Sequence, residues 1–302
     1  MRAIDRLPPT ARGIVYMLLS TLAFALLWVL IRIASGRMDT LLIVFYRTLF
    51  GLLFMAPMLH RRRRAVFRTR RRGLHALRAG TGLLAMYANF FAIALAPLAD
   101  VVAISYATPL FATLTAVLFL GEVIRARRLG ALGFGILGML LVIRPGFESL
   151  SEGEIWALGG AVFMAGSVTA IKLLSRSDAP ETIVVYSYIL TLPINFAIAL
   201  FVWQWPGASD LLLLAGIGIL ANMGQMMLTR AFAAADVTAV LPFDFVRLVL
   251  AAAFGAMLFG ERLAWQTVVG ALVILLSAVY LAHREAQLGR RRTPILPAGP
   301  GV

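Results

Sequence analysis

Charged side chains within long apolar runs are the residues of this sequence best able to do chemistry. Arg47 stands between Tyr46 and Thr48 in one such run, and Asp244 and Arg247 stand three residues apart in another. A charged side chain at the centre of a lipid-embedded helix costs roughly 2.5–3.5 kcal/mol, so it should face the protein interior or a wet cavity. Arg47 could therefore hold a carboxylate or phosphate of a substrate, or it could bond to helix carbonyls or to a partner acid.

The spacing of Asp244 and Arg247 puts their side chains on one face of a helix. They could neutralise each other as an internal ion pair, or they could line a cavity and change state with a substrate or a proton. Pro242, just upstream, lacks a backbone N–H and permits a bend. We expect the pair to line a cavity, while its role in proton coupling stays open.

Other polar residues in apolar runs are candidates for substrate contact or for bonds between helices. Asn222 and Gln225 lie three apart, and hence on one face, whereas Tyr87 and Asn89 lie on different faces, so only one of these two should reach a cavity. The predicted cavity residues are Arg47, Tyr87, Asn89, Tyr106, Thr108, Asn222, Gln225, Asp244 and Arg247.

Two glutamates, Glu122 and Glu261, each follow a glycine at the end of an apolar run. A carboxylate near a helix N-terminus accepts backbone N–H bonds, so both are predicted to be helix caps. The chain has no cysteine, and its three histidines lie at the ends of apolar runs among arginines. No enzyme motif, metal site or cofactor site is predicted.

The positions of these residues depend on helices that cross a membrane. The chain is 61% hydrophobic and 14% charged, whereas soluble domains have about 45–50% apolar and about 25% charged residues. A helix needs about 20 apolar residues to span a bilayer. Ten runs approach this length: 13–33, 40–59, 76–95, 101–120, 129–144, 155–173, 182–203, 211–229, 237–258 and 264–282.

The two halves of the sequence resemble each other. Residues 43–46 match residues 183–186 at a shift of 140, and residues 100–103 match residues 236–239 at a shift of 136. The predicted organisation is a cytoplasmic N-terminus (1–12), two five-helix repeats (13–145 and 153–284) and a disordered cytoplasmic tail (285–302). Because five is odd, the second repeat should enter the membrane from the opposite side, as an inverted repeat.

The distribution of charge predicts the orientation. Residues 61–72 include eight arginines, whereas the corresponding loop of the second repeat, 204–210, has no Lys or Arg. Basic residues favour cytoplasmic loops, so both termini should lie in the cytoplasm of a bacterial inner membrane. The net charge of +14 is then explained by topology and by contact with anionic lipid headgroups, and no nucleic-acid partner is predicted.

Several short motifs resemble the drug/metabolite transporter superfamily, in its EamA branch. They are residues 106–111 (YATPLF), 120–122 (LGE), 144–146 (RPG), 242–248 (PFDFVRL) and 259–261 (FGE). The likeness covers about residues 12–285. It implies a secondary carrier of amino acids, nucleotide-type metabolites, vitamins or drugs, with a central cavity between its halves.

The expected function is secondary transport of a small metabolite by alternating access, which inverted repeats support. A membrane-embedded enzyme and a passive pore or scaffold are the alternatives. Substrate, direction, coupling ion and oligomeric state stay open. Four glycines, Gly130, Gly133, Gly135 and Gly138, could pack helices within one chain or between two copies in a homodimer.

Overall fold

The computed structural model describes residues 7–62, 69–120, 126–143, 151–174, 177–178, 180–235 and 240–292. Every regular element in these ranges is a helix. The α-helices are α1 (Pro9–Ser35), α2 (Thr40–Arg62), α3 (Arg72–Leu95), α4 (Leu98–Ser105), α5 (Thr108–Leu120), α6 (Ala126–Ile143), α7 (Glu152–Leu174), α8 (Pro180–Ala199), α9 (Ala208–Ala234), α10 (Val246–Phe259) and α11 (Trp265–Arg292). Two 3₁₀ segments, Leu200–Val202 and Leu241–Phe245, follow α8 and precede α10.

The helices have the length and composition of membrane spans. Within the described residues, five are long and apolar enough to cross a bilayer: Pro9–Ser35, Arg72–Leu95, Glu152–Ile171, Thr182–Val202 and Ala208–Ala234. Shorter apolar helical stretches lie at Thr40–Ala56, Gly133–Val142 and Trp265–Ser277, and another, Leu98–Ala112, comprises α4 and the start of α5. The predicted helical membrane fold is thus confirmed for this part of the chain. Helix α11 continues to Arg292, past the predicted start of the tail at residue 285, and residues 293–302 lie outside the described ranges.

The fourth and ninth apolar runs are not single α-helices, which corrects the expectation of one helix per run. The fourth divides at Tyr106 and Ala107 into α4 and α5. Pro109 lacks the N–H that would continue the helix, and it disfavours the helical conformation of the residue before it. In the ninth run the 3₁₀ segment that contains Pro242 leads into α10.

The sharp end of α10 depends on a glycine. Gly260 has a φ of 67°, in the left-handed region that only glycine adopts readily. This turn lets the backbone N–H of Glu261 donate to the Gly255 carbonyl at 3.0 Å. The turn fixes the position of Glu261 beside the helix end.

The two halves of the chain make corresponding helix contacts with each other. The first half comprises α1–α6, in which α4 and α5 together count as the fourth helix, and the second half comprises α7–α11. The first helix of each half packs against the third helix of the other, α1 on α9 and α7 on α3. The second helices (α2 and α8), the fourth (α4 and α10) and the fifth (α6 and α11) also contact one another. The polar residues at the centre are therefore contributed by both halves.

The fifth helices approach closely through small residues. A Cβ added to Gly138 would lie 2.7 Å from the Gly270 carbonyl oxygen, and one added to Gly270 would lie 2.5 Å from the Gly138 carbonyl oxygen. Gly135 packs on Leu110. Two of the four glycines predicted to pack helices therefore do so within one chain.

Candidate functional site

The breaks in the two fourth helices touch each other. The Tyr106 hydroxyl donates a hydrogen bond of 2.8 Å to the backbone carbonyl of Asp244. The Tyr106 ring also stacks on Phe245, with ring centroids 6.3 Å apart. In many carriers, discontinuous helices near the membrane midplane form the substrate site, so this junction is the first place to look for one.

Arg247 lies beside this junction and is paired. Its Nη2 donates to Asp244 Oδ2 at 2.6 Å, and the two side chains are only 17% and 15% exposed. The guanidinium carbon lies 5.8 Å from the Phe24 ring centroid, 5.9 Å from that of Trp28 and 5.4 Å from that of Tyr106. Cation–π attraction and the ion pair together hold the charge in place.

Arg47 points to a different part of the interior. Its Nη1 lies 2.8 Å from the sulfur of Met86, a weak acceptor, and its guanidinium lies 6.0 Å from the Phe90 ring centroid. Arg78 of α3, which the sequence groups with the basic residues near the cytoplasmic loop, is half-buried, and its Nη1 lies at Gly82, one turn before Met86. Sequence reasoning did not identify Arg78 as a site residue.

A chain of hydrogen bonds joins α3, α8 and α2. The Tyr87 hydroxyl donates to Asn195 Oδ1 at 2.8 Å, and Asn195 Nδ2 donates to Thr48 Oγ1 at 2.9 Å. Asn195 is fully buried. It was not among the residues predicted from the sequence, although an asparagine two residues after Pro193 in an apolar run is a signal that could have identified it.

Asn222 and Gln225 lie in different surroundings despite their helical spacing. Asn222 Oδ1 accepts from Tyr188 at 3.1 Å, and Asn222 Nδ2 donates to the carbonyls of Gly51 and Gly218 at 3.2 and 3.1 Å. Gln225 is exposed. The amide of Asn222 thus connects α9 with α2 and α8.

The remaining candidates lie away from the junction or at its edge. Asn89 Nδ2 donates to the Ala85 carbonyl of its own helix at 2.7 Å and packs on Gly160 of α7. Tyr87 therefore faces α8, whereas Asn89 faces α7. Thr108 is half-buried as the first residue of α5.

Glu261 caps a helix other than the one that follows it. Its Oε2 accepts the backbone N–H of Leu98, the first residue of α4, at 2.9 Å. Its Oε1 pairs with Arg32 Nη2 at 3.1 Å, and Arg32 Nη1 donates to the carbonyls of Ile93 and Ala96 at the end of α3. The two residues thus satisfy both sides of the α3–α4 joint. Glu122, the other predicted cap, lies outside the described residues.

A polar cluster lies between the start of α3 and the α7–α8 connection. Asp178 Oδ2 accepts from Thr69 Oγ1 at 2.6 Å and lies 2.7 Å from His75 Nε2. The His75 ring lies 4.6 Å from that of Tyr186. Burial by itself raises the pKa of Asp178, but hydrogen bonds from Thr69, His75 and Ser177 outweigh it and hold the pKa of this carboxyl below its usual value.

Metal ligands do not gather anywhere in the described ranges. No three His, Cys, Asp or Glu side chains within them lie close enough to share an ion.

Sequence comparisons cover almost the whole chain. The profile of the EamA-like transporter family matches residues 11–144 and 151–282. The riboflavin transporter of Vibrio cholerae is 29% identical over 289 residues, which cover 94% of this chain and 97% of that protein. The pseudopaline exporter CntI of Pseudomonas aeruginosa is 29% identical (90% and 96% covered), and the S-adenosylmethionine uptake transporter of Rickettsia prowazekii is 24% identical (93% and 96% covered).

The fold also has a counterpart among solved structures. One crystal structure superposes with a TM-score of 0.61 at 17% identity, over 93% of this chain and 99% of the other. At that identity the match concerns the fold alone.

Proposed function

The chain belongs to the EamA-like transporter family, and on this basis we propose that it is a secondary transporter working by alternating access. It is a multi-pass membrane transporter of a small metabolite and not an enzyme. The observation that carries the proposed mechanism is the contact between the two broken fourth helices through Tyr106 and Asp244. An ion gradient or exchange is the proposed energy source.

The helix contacts support a two-fold relationship between the halves, and the five spans predicted for each half make it an inverted one. Exchanging the two halves converts the contact of α1 with α9 into that of α7 with α3, and the contact of α2 with α9 into that of α8 with α3, and all four are observed. A two-fold axis in the membrane plane has this effect and lets the halves exchange conformations to open the site to either side. With the arginine-rich segment 61–72 on the inside, we place both termini in the cytoplasm of a bacterial inner membrane.

The relatives define a practical range of substrates. Their names specify riboflavin, S-adenosylmethionine and pseudopaline. We propose an amino-acid-like, nucleoside-like or vitamin-like metabolite of similar size for this chain. One relative is an exporter and another an uptake transporter. Because these names differ in direction, the direction for this chain is to be assigned by measuring both uptake and efflux.

Counterflow in liposomes tests the proposal. The purified chain is reconstituted with each of the three metabolites and with common amino acids and nucleosides, and exchange of labelled substrate is measured. Tyr106→Phe removes a hydrogen bond of about 1 kcal/mol and should slow exchange several-fold. Tyr280→Phe is the matched control because Tyr280 is 47% exposed on α11. Absence of both counterflow and ligand-induced thermal stabilisation across the panel would contradict the proposal.

The same assay separates a carrier from a passive pore or scaffold. Flux through a carrier saturates as the substrate concentration rises, and exchange of labelled for unlabelled substrate is faster than net efflux. Flux through a pore shows neither property. In a pore or scaffold, Arg47→Ala and Asp244→Asn would leave flux unchanged. In a carrier with these residues at its site, both variants would reduce exchange.

A further inference from the structure

Two arginines of neighbouring helices face the interior of the bundle with no partner acid among the described residues. Arg47 of α2 and Arg78 of α3 are both half-buried, and their guanidiniums lie against α3 one turn apart, Arg47 at Met86 and Arg78 at Gly82. Each has an Nε atom that is shielded from solvent and has no hydrogen-bond partner. The hydrogen bond of the Arg47 guanidinium is to the sulfur of Met86, which is a weak acceptor.

Two other arginines of the interior differ in having carboxylate partners, although the Nε of Arg247 is likewise unpaired among the described residues. Arg32 and Arg247 donate to carboxylates at 3.1 and 2.6 Å, and Arg32 also bonds two helix carbonyls. Neither Arg47 nor Arg78 has a carboxylate within 4.0 Å among the side chains that the structure describes. A guanidinium stays charged at any physiological pH, and charged side chains within membrane segments mark substrate or ion pathways, so these two charges are suited to bind an anion.

A buried hydroxyl lies beside the Arg78 guanidinium. A Cβ on Gly82 would lie 2.7 Å from Arg78 Nη1 and 3.3 Å from Ser167 Oγ, so the guanidinium and the hydroxyl lie over the same glycine. The Ser167 hydroxyl is buried and has no hydrogen-bond partner, with the residue 1% exposed. Two guanidiniums and a hydroxyl donor therefore lie along α3 between Gly82 and Met86, and among the described residues the hydrogen bond that they make is the one from Arg47 to the Met86 sulfur.

From this juxtaposition we infer that Arg47, Arg78 and Ser167 form a subsite for an anionic oxygen group, a carboxylate or a phosphate, on the transported metabolite. The planar guanidinium matches both groups through two parallel hydrogen bonds. The inference rests on the proposed transport function and narrows it to substrates that carry such a group. Arg78 and Ser167 act here with Arg47, the one member of the set that the sequence predicted.

Anion binding to the purified full-length chain tests the subsite without any transport step. Thermal unfolding in a phosphate-free maltoside detergent is followed with increasing succinate or inorganic phosphate, at an ionic strength held constant with chloride. The anions should raise the midpoint, neutral succinamide should not, and the apparent Kd should weaken at least ten-fold in R47Q and R78Q. R37Q is the matched control because the Arg37 side chain is 54% exposed and pairs with Asp210 at 3.5 Å.

A glycine pair provides a test that keeps both charges. Gly82→Ala puts a methyl group against Arg78 Nη1 and Ser167 Oγ, whereas Gly80→Ala, two residues away on α3, meets no atom within 4 Å. G82A should weaken anion binding and G80A should not. If either glutamine variant fails to fold, the comparison of G82A with G80A still tests the anion subsite. Equal anion binding in G82A and G80A, or no anion effect on the native chain, would overturn the inference.

Two further measurements distinguish a substrate subsite from a lipid site, and the subsite from the transport function. If phosphatidylglycerol added to the micelle occupies the site while succinate and phosphate have no effect, the pair binds a lipid headgroup and the substrate assignment is wrong. In liposomes, saturable exchange of a metabolite without an anionic group, unaffected by R47Q and R78Q, would refute the subsite but leave the transporter in place. Arginine-dependent anion binding without any exchange of substrate would support the subsite and contradict the proposed transport function.

Discussion

The contact between the fifth helices gives a prediction whose size follows from the structure. In Gly270→Ala the new methyl group lies 2.5 Å from the Gly138 carbonyl oxygen and 3.1 Å from the Val142 backbone nitrogen. These are backbone atoms, which cannot rotate away as a side chain can. Because ordinary contact begins at 3.4 Å, α6 and α11 have to separate by roughly 1 Å, with loss of dispersion contacts along the seam.

The expected change in the free energy of unfolding combines two opposing effects. Overpacking costs about 1–3 kcal/mol, whereas replacing glycine by alanine within a helix gains roughly 0.5–1 kcal/mol. We expect a net loss of about 1–2 kcal/mol for Gly270→Ala and a similar loss for Gly138→Ala. The double variant should lose less than the sum, because helices already pushed apart by one methyl group accept the second more easily.

Equilibrium unfolding in mixed micelles with increasing dodecyl sulfate, followed by tryptophan fluorescence, measures these differences. Gly159→Ala on α7 is the control because a Cβ there meets no atom within 4 Å, so it should be neutral or stabilising. If Gly138→Ala and Gly270→Ala stabilise the chain as much as Gly159→Ala does, or if the double variant is strictly additive, the close approach of α6 and α11 is wrong.

Three further changes test other parts of the structure. Glu261→Ala removes the cap of Leu98 and the partner of a partly buried arginine, and should lower the free energy of unfolding by about 1–3 kcal/mol in the same titration. Asn195→Ala leaves the half-buried Tyr87 hydroxyl without its acceptor and the buried Thr48 hydroxyl without its donor, and should cost about 1–3 kcal/mol. Asp178 has a lowered pKa, so its ionised form stabilises the fold above the usual value of about 3.9 and this contribution is lost as pH falls through the lowered pKa. Asp178→Asn should therefore lower the melting temperature near neutral pH and flatten its fall in acid.

A surface variant serves as the control for Glu261→Ala, and each of two variants has a result that would contradict its prediction. Asp210→Ala breaks the exposed pair with Arg37 and should change stability by less than about 1 kcal/mol. A loss of that size or smaller for Glu261→Ala would mean that its bonds do not hold the α3–α4 joint. An unchanged acid dependence in Asp178→Asn would exclude this carboxylate as a source of acid sensitivity.

Apolar length and composition were enough to predict a helical membrane protein, because lipid leaves the backbone few alternatives. They did not predict the division of the fourth run, since Pro109 interrupts the hydrogen-bond ladder without lowering hydropathy. They also did not predict which way Arg78 points. It lies close to an arginine-rich loop in sequence, but the third helix presents it to the interior, and that depends on packing against α7 and α8.

It was harder to predict which residues each candidate side chain bonds to. Helical spacing correctly paired Asp244 with Arg247, because residues three apart on a helix are neighbours whatever the tertiary fold. It placed Asn222 and Gln225 together as well, yet one is bonded to α2 and α8 and the other is exposed. Glu261 bonds Leu98 and Arg32, far away in sequence, and such partners follow only from the arrangement of helices.

The short helix α4 belongs to the first half of the chain but is fastened at both ends to the second. Glu261 accepts the N–H of Leu98 at its beginning, and the Asp244 carbonyl accepts the hydroxyl of Tyr106 just beyond its end. The face between these ends packs on α10. A movement that rocks one half against the other must therefore break both hydrogen bonds or carry α4 with α10. The joints at Pro97 and at Tyr106–Ala107, where the α-helical ladder is already interrupted, are where the backbone can bend at least cost in hydrogen bonds.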